Sequence, residues 1–215
     1  MDFAMDRRHF LAGSAAFLAT PAVAQDAVGF DETIERPEPQ GPNPWGLHPR
    51  LMPTRIVHKA GMVPGHVHVD PIAKYLYHIL DDGTAMRYGV AVGRSGLQAP
   101  GQYTIRRKVE WPSWQPTAAM IAREPDLYAE FASGVPGGPE NPLGARALYL
   151  YDGDRDSYLR IHGTPQPWSI GTSASSGCVR MVNAHVIELY EKLPIGTVVH
   201  LHRPNYAITG NGTAA

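Results

Sequence analysis

Apolar residues in this chain fall in short, punctuated runs rather than in long helical stripes. The runs are Val67 to Val69, Tyr75 to Leu80, Met86 to Val92, Gln102 to Ile105, Ala147 to Tyr151, Tyr158 to Ile161 and Val198 to Leu201. Their lengths and their aromatic and β-branched content predict strands. Asp81-Asp82-Gly83, between the second and third runs, reads as a hairpin turn, because Asp and Gly tolerate positive φ. Two stretches carry helical spacing instead. Ala118 to Ala132 predicts a helix interrupted near Pro125, and Ala184 to Leu193 predicts another, with Val186, Leu189, Tyr190 and Leu193 on one face and Asn183 as its N-cap.

The ends of the chain read differently. Arg7-Arg8 precedes an apolar run from Phe10 to Val23 that closes on the small residues Ala22-Val23-Ala24. That order predicts a twin-arginine export signal over residues 1–24, cleaved after Ala24. The run falls short of the roughly 20 apolar residues a membrane-crossing helix needs, and no later run reaches that length, so the mature chain is expected to have no membrane span. Residues 25–64 are rich in proline and predict a linker or wrapping arm, with Trp45, Leu47, Leu51 and Met52 as apolar anchors. Residues 65–203 form the expected domain, and 204–215, rich in Gly, Thr and Ala, a flexible tail.

Charge adds an exclusion. With 19 Lys and Arg against 20 Asp and Glu, scattered without a basic stripe, the chain is not expected to bind nucleic acid or a membrane surface by charge.

Cysteine usage then sharpens the picture. The chain has one cysteine, Cys178, which cannot close an internal disulfide in an exported protein. Either it is a buried small apolar residue or it is a reactive thiol. It lies in Ser175-Ser176-Gly177-Cys178-Val179-Arg180, sixteen residues after His162. An imidazole within reach can accept a thiol proton and later deliver one to a leaving amine. Gly177, beside Ser176, lets a carbonyl approach the backbone, where N–H groups can hold an oxyanion. Arg180, two positions on, shares a face with Cys178 if the segment is extended; it can favour the thiolate, grip a substrate carboxylate, or serve a structural ion pair.

This arrangement resembles the catalytic core of the L,D-transpeptidases, the YkuD-like family of the ErfK/YbiS type. The match runs from His162 through the spacer to Ser176-Gly177-Cys178-Val179-Arg180 and Asn183. Gly89-Val90-Ala91-Val92-Gly93, Glu110-Trp111-Pro112 and Asn141-Pro142-Leu143-Gly144-Ala145-Arg146 extend it upstream, over roughly Gly65 to His202. The resemblance implies a mostly β, β-sandwich-like fold with one or two short helices, and no cofactor. It implies a periplasmic enzyme acting on peptidoglycan stem peptides. In such enzymes the thiolate attacks the carbonyl of the third residue of a tetrapeptide, expels D-alanine and passes the acyl group to an amine or to water. The acceptor is another stem, an outer-membrane protein or lipoprotein, or water, the last giving L,D-carboxypeptidase activity. Carried over residue by residue, Cys178 is the nucleophile, His162 the base and acid, and the Gly163 carbonyl the orienter of the imidazole. Many members carry a second histidine where this chain has Ser176; its backbone N–H remains a candidate oxyanion donor.

Other residues keep two readings. Trp168 lines the peptide groove or anchors its Pro-flanked loop. Asn183 caps a helix or touches substrate. Trp111, Trp114 and Met120 belong to a segment suited to a flap beside the site. His66 and His68 alternate on one strand, as do His200 and His202; without cysteines or carboxylates at ligand spacing they are expected to face solvent, and no metal is expected. A papain-like thiol hydrolase would place its cysteine before its histidine, the reverse of the order here. A wall-binding protein that kept the fold without catalysis would have no need of His162, Gly177 and Cys178 together.

Overall fold

The computed structural model describes residues 43–94, 97 and 99–203. The expected signal, the first part of the proline-rich arm and the tail at 204–215 lie outside them. Among the described residues, nine strands form one hydrogen-bonded sheet: β1 Thr54–Val57, β2 Val67–Asp70, β3 Tyr75–Ile79, β4 Thr84–Gly89, β5 Gly101–Glu110, β6 Arg146–Asp152, β7 Arg155–His162, β8 Val179–Arg180 and β9 Val198–Leu201. Their spatial order is β1-β4-β3-β2-β9-β5-β6-β7-β8. Three short helices accompany them, α1 Ala118–Arg123, α2 Pro125–Tyr128 and α3 Asn183–Lys192. The fold is therefore mostly β, as the short apolar runs predict.

The sheet curls on itself. Backbone bridges join Ala91 to Arg180 and Gly93 to Ser175, bringing the chain after β4 against β8, the far edge of the sheet. One face thus encloses a core of Val67, Leu76, Tyr88, Ile105, Leu148, Ile161, Val179 and Val199, sealed by Val186, Leu189 and Leu193 of α3. Alternation along β3 sends Leu76 into that core and Tyr75, Tyr77 and Ile79 to the opposite face. The second face is also buried, because Leu47, Leu51 and Met52 of the arm pack onto it.

Several expectations need correcting in detail. Residues 54–57, inside the stretch read as a proline-rich arm, form β1 and pair with β4, Thr54 opposite Arg87. Proline density hides this strand, because Pro53 ends just where its hydrogen bonding begins. The helix expected over Ala118 to Ala132 breaks into α1, α2 and a 3-10 turn at Ala129–Phe131, since Pro125 cannot donate to a continuing ladder. The turn after β3 follows its sequence signal: Gly83 has φ +79° and the Asp82 carboxylate accepts the Thr84 N–H at 3.0 Å.

Candidate active site

The parallel pair β7 and β8 sets Ile161 opposite Val179 and His162 opposite Arg180. Ile161 and Val179 point into the core, so alternation puts His162 and Arg180 on the other face. Cys178, two residues before Arg180, shares that face. Neighbouring strands lie about 4.8 Å apart and two residues rise about 6.6 Å, so His162 and Cys178 are separated by about 8 Å at the backbone, within reach of an imidazole and a thiol.

The turn that delivers the sulfur is tightly specified. Gly177 has φ +131°, and a Cβ there would stand 3.0 Å from the Leu97 carbonyl oxygen, so only glycine fits. Ser175 staples the turn: its hydroxyl accepts the Gly177 N–H at 3.2 Å and donates to the Cys178 carbonyl. The Gly177 N–H is thereby occupied.

Around the sulfur, β7 contributes backbone groups. The Cys178 thiol faces the Tyr158 carbonyl oxygen at 3.7 Å, and the Arg160 N–H also reaches it. Tyr158 has φ +60°, an unusual conformation that the Asp156 carboxylate holds by accepting the Tyr158 N–H at 2.8 Å. Asp156 in turn takes both Arg160 guanidinium N–H groups, at 2.6 and 2.8 Å, and Arg160 lies 4.0 Å above the Tyr149 ring. The ladder between β6 and β7 slips its register at this point, between Leu150 and Tyr151.

Cys178 and His162 are both held neutral. Burial pushes the Cys178 thiol up, against the pull of the Arg160 N–H and of the Arg160 and Arg180 charges. Burial, then the Arg180 charge, pushes His162 down to about 3. His162 Nδ1 lies 2.6 Å from the Gly163 carbonyl oxygen, so a neutral ring donating there keeps Nε2 as its basic atom.

Arg180 is half-buried beside the thiol and has no carboxylate partner among the described residues. That speaks against the structural ion pair. Trp168, in a 3-10 turn at Pro167–Ser169, is 72% exposed and so does not anchor its loop. Ser176 meets a partner that its sequence context does not announce, the Tyr128 hydroxyl of α2, at 2.8 Å. Tyr128 belongs to a small helical flap in which Trp114 packs on Phe131, ring centres 5.8 Å apart. Arg94 clamps the same flap through Glu124, at 2.6 Å.

Asn183 does not cap α3, whose N-cap is Val182. Its side-chain oxygen instead accepts the Ala145 N–H at 3.0 Å, tying α3 to the strand beside His162. A Cβ on Gly163 would fall 2.1 Å from that oxygen, which explains the glycine after the histidine. Sequence reasoning missed Tyr128, Tyr158 and Arg160. Tyr158 acts through its carbonyl, which every residue has, and Tyr128 arrives from a helix 48 residues upstream.

The domain is mostly β and brings a cysteine, a histidine and an arginine together at the adjoining strands β7 and β8. The YkuD family model, described as the L,D-transpeptidase catalytic domain, matches residues 64–201. The chain belongs to the L,D-transpeptidase family. It is 35% identical over 125 residues to a probable L,D-transpeptidase YbiS of Escherichia coli, covering 57% of this chain and 39% of that protein. It is 34% identical over 142 residues to a putative L,D-transpeptidase YkuD of Bacillus subtilis, covering 66% and 68%. A crystal structure from Brucella melitensis, described as a probable carnitine operon oxidoreductase, is 48% identical, with 70% of this chain and 93% of that one covered at TM-score 0.50. The chain thus spans well under half the length of the Escherichia coli relative.

Proposed function

We propose that the protein is a peptidoglycan L,D-transpeptidase, exported by its twin-arginine signal and working in the periplasm. The observation that carries this is the placing of Cys178, His162 and Arg180, which has no carboxylate partner among the described residues, on one face of β7 and β8. The Cys178 sulfur attacks the diaminopimelate carbonyl of a tetrapeptide stem while its proton passes to His162. The oxyanion is met by backbone N–H groups at Ser176 and Cys178, since that of Gly177 is held by Ser175. The C–N bond to D-alanine then breaks, and the imidazolium returns the proton to the departing amine, leaving a thioester on Cys178.

An acceptor amine attacks the thioester, His162 removes its proton, and the thiol is released. A diaminopimelate side-chain amine as acceptor gives a 3-3 cross-link. A lysine of an outer-membrane protein or lipoprotein gives an anchored protein, and water gives a tripeptide. Arg180 suits a substrate carboxylate, being cationic, near the sulfur and without a carboxylate partner among the described residues. Trp168, exposed on the neighbouring turn, offers an apolar face to the peptide.

Mass spectrometry of the reduced protein with tetrapeptide muropeptides or a carbapenem tests the mechanism. A covalent adduct on Cys178 is expected, and none from either reagent refutes the reading. Muropeptide profiles of a deletion strain identify the acceptor, by which species is lost.

A further inference from the structure

Away from β7 and β8, four imidazoles gather where β2 runs parallel to β9. His68 stands opposite His200 in the register. His66 and His202 flank that pair, so the two alternating histidine pairs form one ladder across the strands. His66 Nδ1 lies 3.1 Å from His200 Nε2, and His68 Nδ1 lies 3.1 Å from His202 Nε2. The His68 and His200 rings stack at 4.4 Å between centres, 15° apart in plane. His68 is only 8% exposed, which overturns for it the expectation that these histidines face solvent, while His66, His200 and His202 are half-buried. The rings of His200 and His202, both stacked against it, cover His68 on a face that period-two alternation alone leaves open.

Burying several imidazoles in contact is costly unless their lone pairs find a partner. His68 Nε2 is buried and has no hydrogen-bond partner among the described residues. A ring nitrogen from each of His66, His68 and His200 lies within 4.8 Å of the others. Two imidazole nitrogens on a tetrahedral zinc, each about 2.05 Å from the metal, are about 3.3 Å apart. The 3.1 Å between His66 and His200 already fits that spacing. Bringing the third nitrogen in from at most 4.8 Å asks about 1.5 Å of ring movement, which the soft imidazole torsion allows.

We propose that His66, His68 and His200 bind one divalent transition-metal ion of the zinc class, clamping β2 to β9. An all-imidazole set favours zinc, nickel or copper over calcium or magnesium, which require oxygen ligands. Because β9 closes the domain against β2 and β5, an ion there stabilises the fold by binding the native state alone. The reacting residues lie on other strands, so this inference does not depend on the proposed reaction.

The test uses the full chain, untagged, with Cys178→Ser to remove the thiol as a ligand. Zinc is titrated calorimetrically at pH 7.5, and cobalt(II) replaces it for absorption spectroscopy. We expect one equivalent bound with a Kd below about 10 μM, together with visible cobalt bands of a tetrahedral nitrogen site. His66→Gln and His200→Gln, both at half-buried positions, should each weaken binding at least about tenfold while far-UV circular dichroism is unchanged. Should His200→Gln unfold, His66→Gln alone decides. No saturable binding up to about 1 mM, or an affinity unchanged in the folded His66→Gln variant, overturns the proposal.

Discussion

The neutral state of Cys178 and His162 makes the pH response of the thiol a direct test of the site. An ordinary thiol with a pKa of about 8.5 is about 3% thiolate at pH 7, and burial places Cys178 below that fraction. Alkylation by iodoacetamide is therefore expected to be slower at pH 7 than for a free thiol. It should rise about tenfold per pH unit, with no plateau before pH 9. His162, pushed down to about 3, is neutral throughout this range and supplies no limb near pH 6.5. Because a neutral imidazole holds no thiolate in place, His162→Ala should leave alkylation at pH 8 within about twofold. The same substitution should slow acylation by a carbapenem by about 10²- to 10⁴-fold, the loss of a general base. Stopped-flow alkylation and acylation rates between pH 5 and pH 9.5 measure both. A plateau by pH 6, or alkylation cut more than tenfold by His162→Ala, would show a preformed thiolate–imidazolium pair and refute the reasoning.

Two further predictions follow from the packing. Tyr128→Phe removes the bond to Ser176, worth about 1 kcal/mol, and should raise KM about fivefold with kcat little changed; a fall in kcat at constant KM would contradict a positioning role for the flap. Leu51→Ala empties a site that is 5% exposed and should cost about 2 to 4 kcal/mol, lowering Tm by about 5 to 15 °C; a drop under about 1 °C would show that the arm is not part of the core.

Much of the fold can be read from local pattern. Short β-branched and aromatic runs locate seven of the nine strands, because each buries at least one face and so carries an apolar signature. β1 and β8 escape: β1 follows a proline-dense stretch, and β8 is a strand of only two residues, too short to carry an alternating pattern. The helix over Asn183–Lys192 is evident from Val186 and Leu189, yet Asn183 at its start is not the cap, because the Ala145 N–H, in the turn that leads into β6, competes for its oxygen.

By itself the sequence determined which residues can do chemistry here. One thiol, one histidine sixteen residues before it, and a glycine at Gly177 follow from residue types and spacing. Only the tertiary structure decided how those groups are poised. Burial sets the protonation of Cys178 and His162, the strained Tyr158 aims its carbonyl at the sulfur, and Tyr128 comes in from the flap. It also gathered two pairs of histidines, the members of each pair 134 residues apart in the chain, into one ladder around the buried His68. The reason is physical: residue identity and local spacing are carried along the chain, whereas desolvation and contact depend on what the rest of the chain brings alongside.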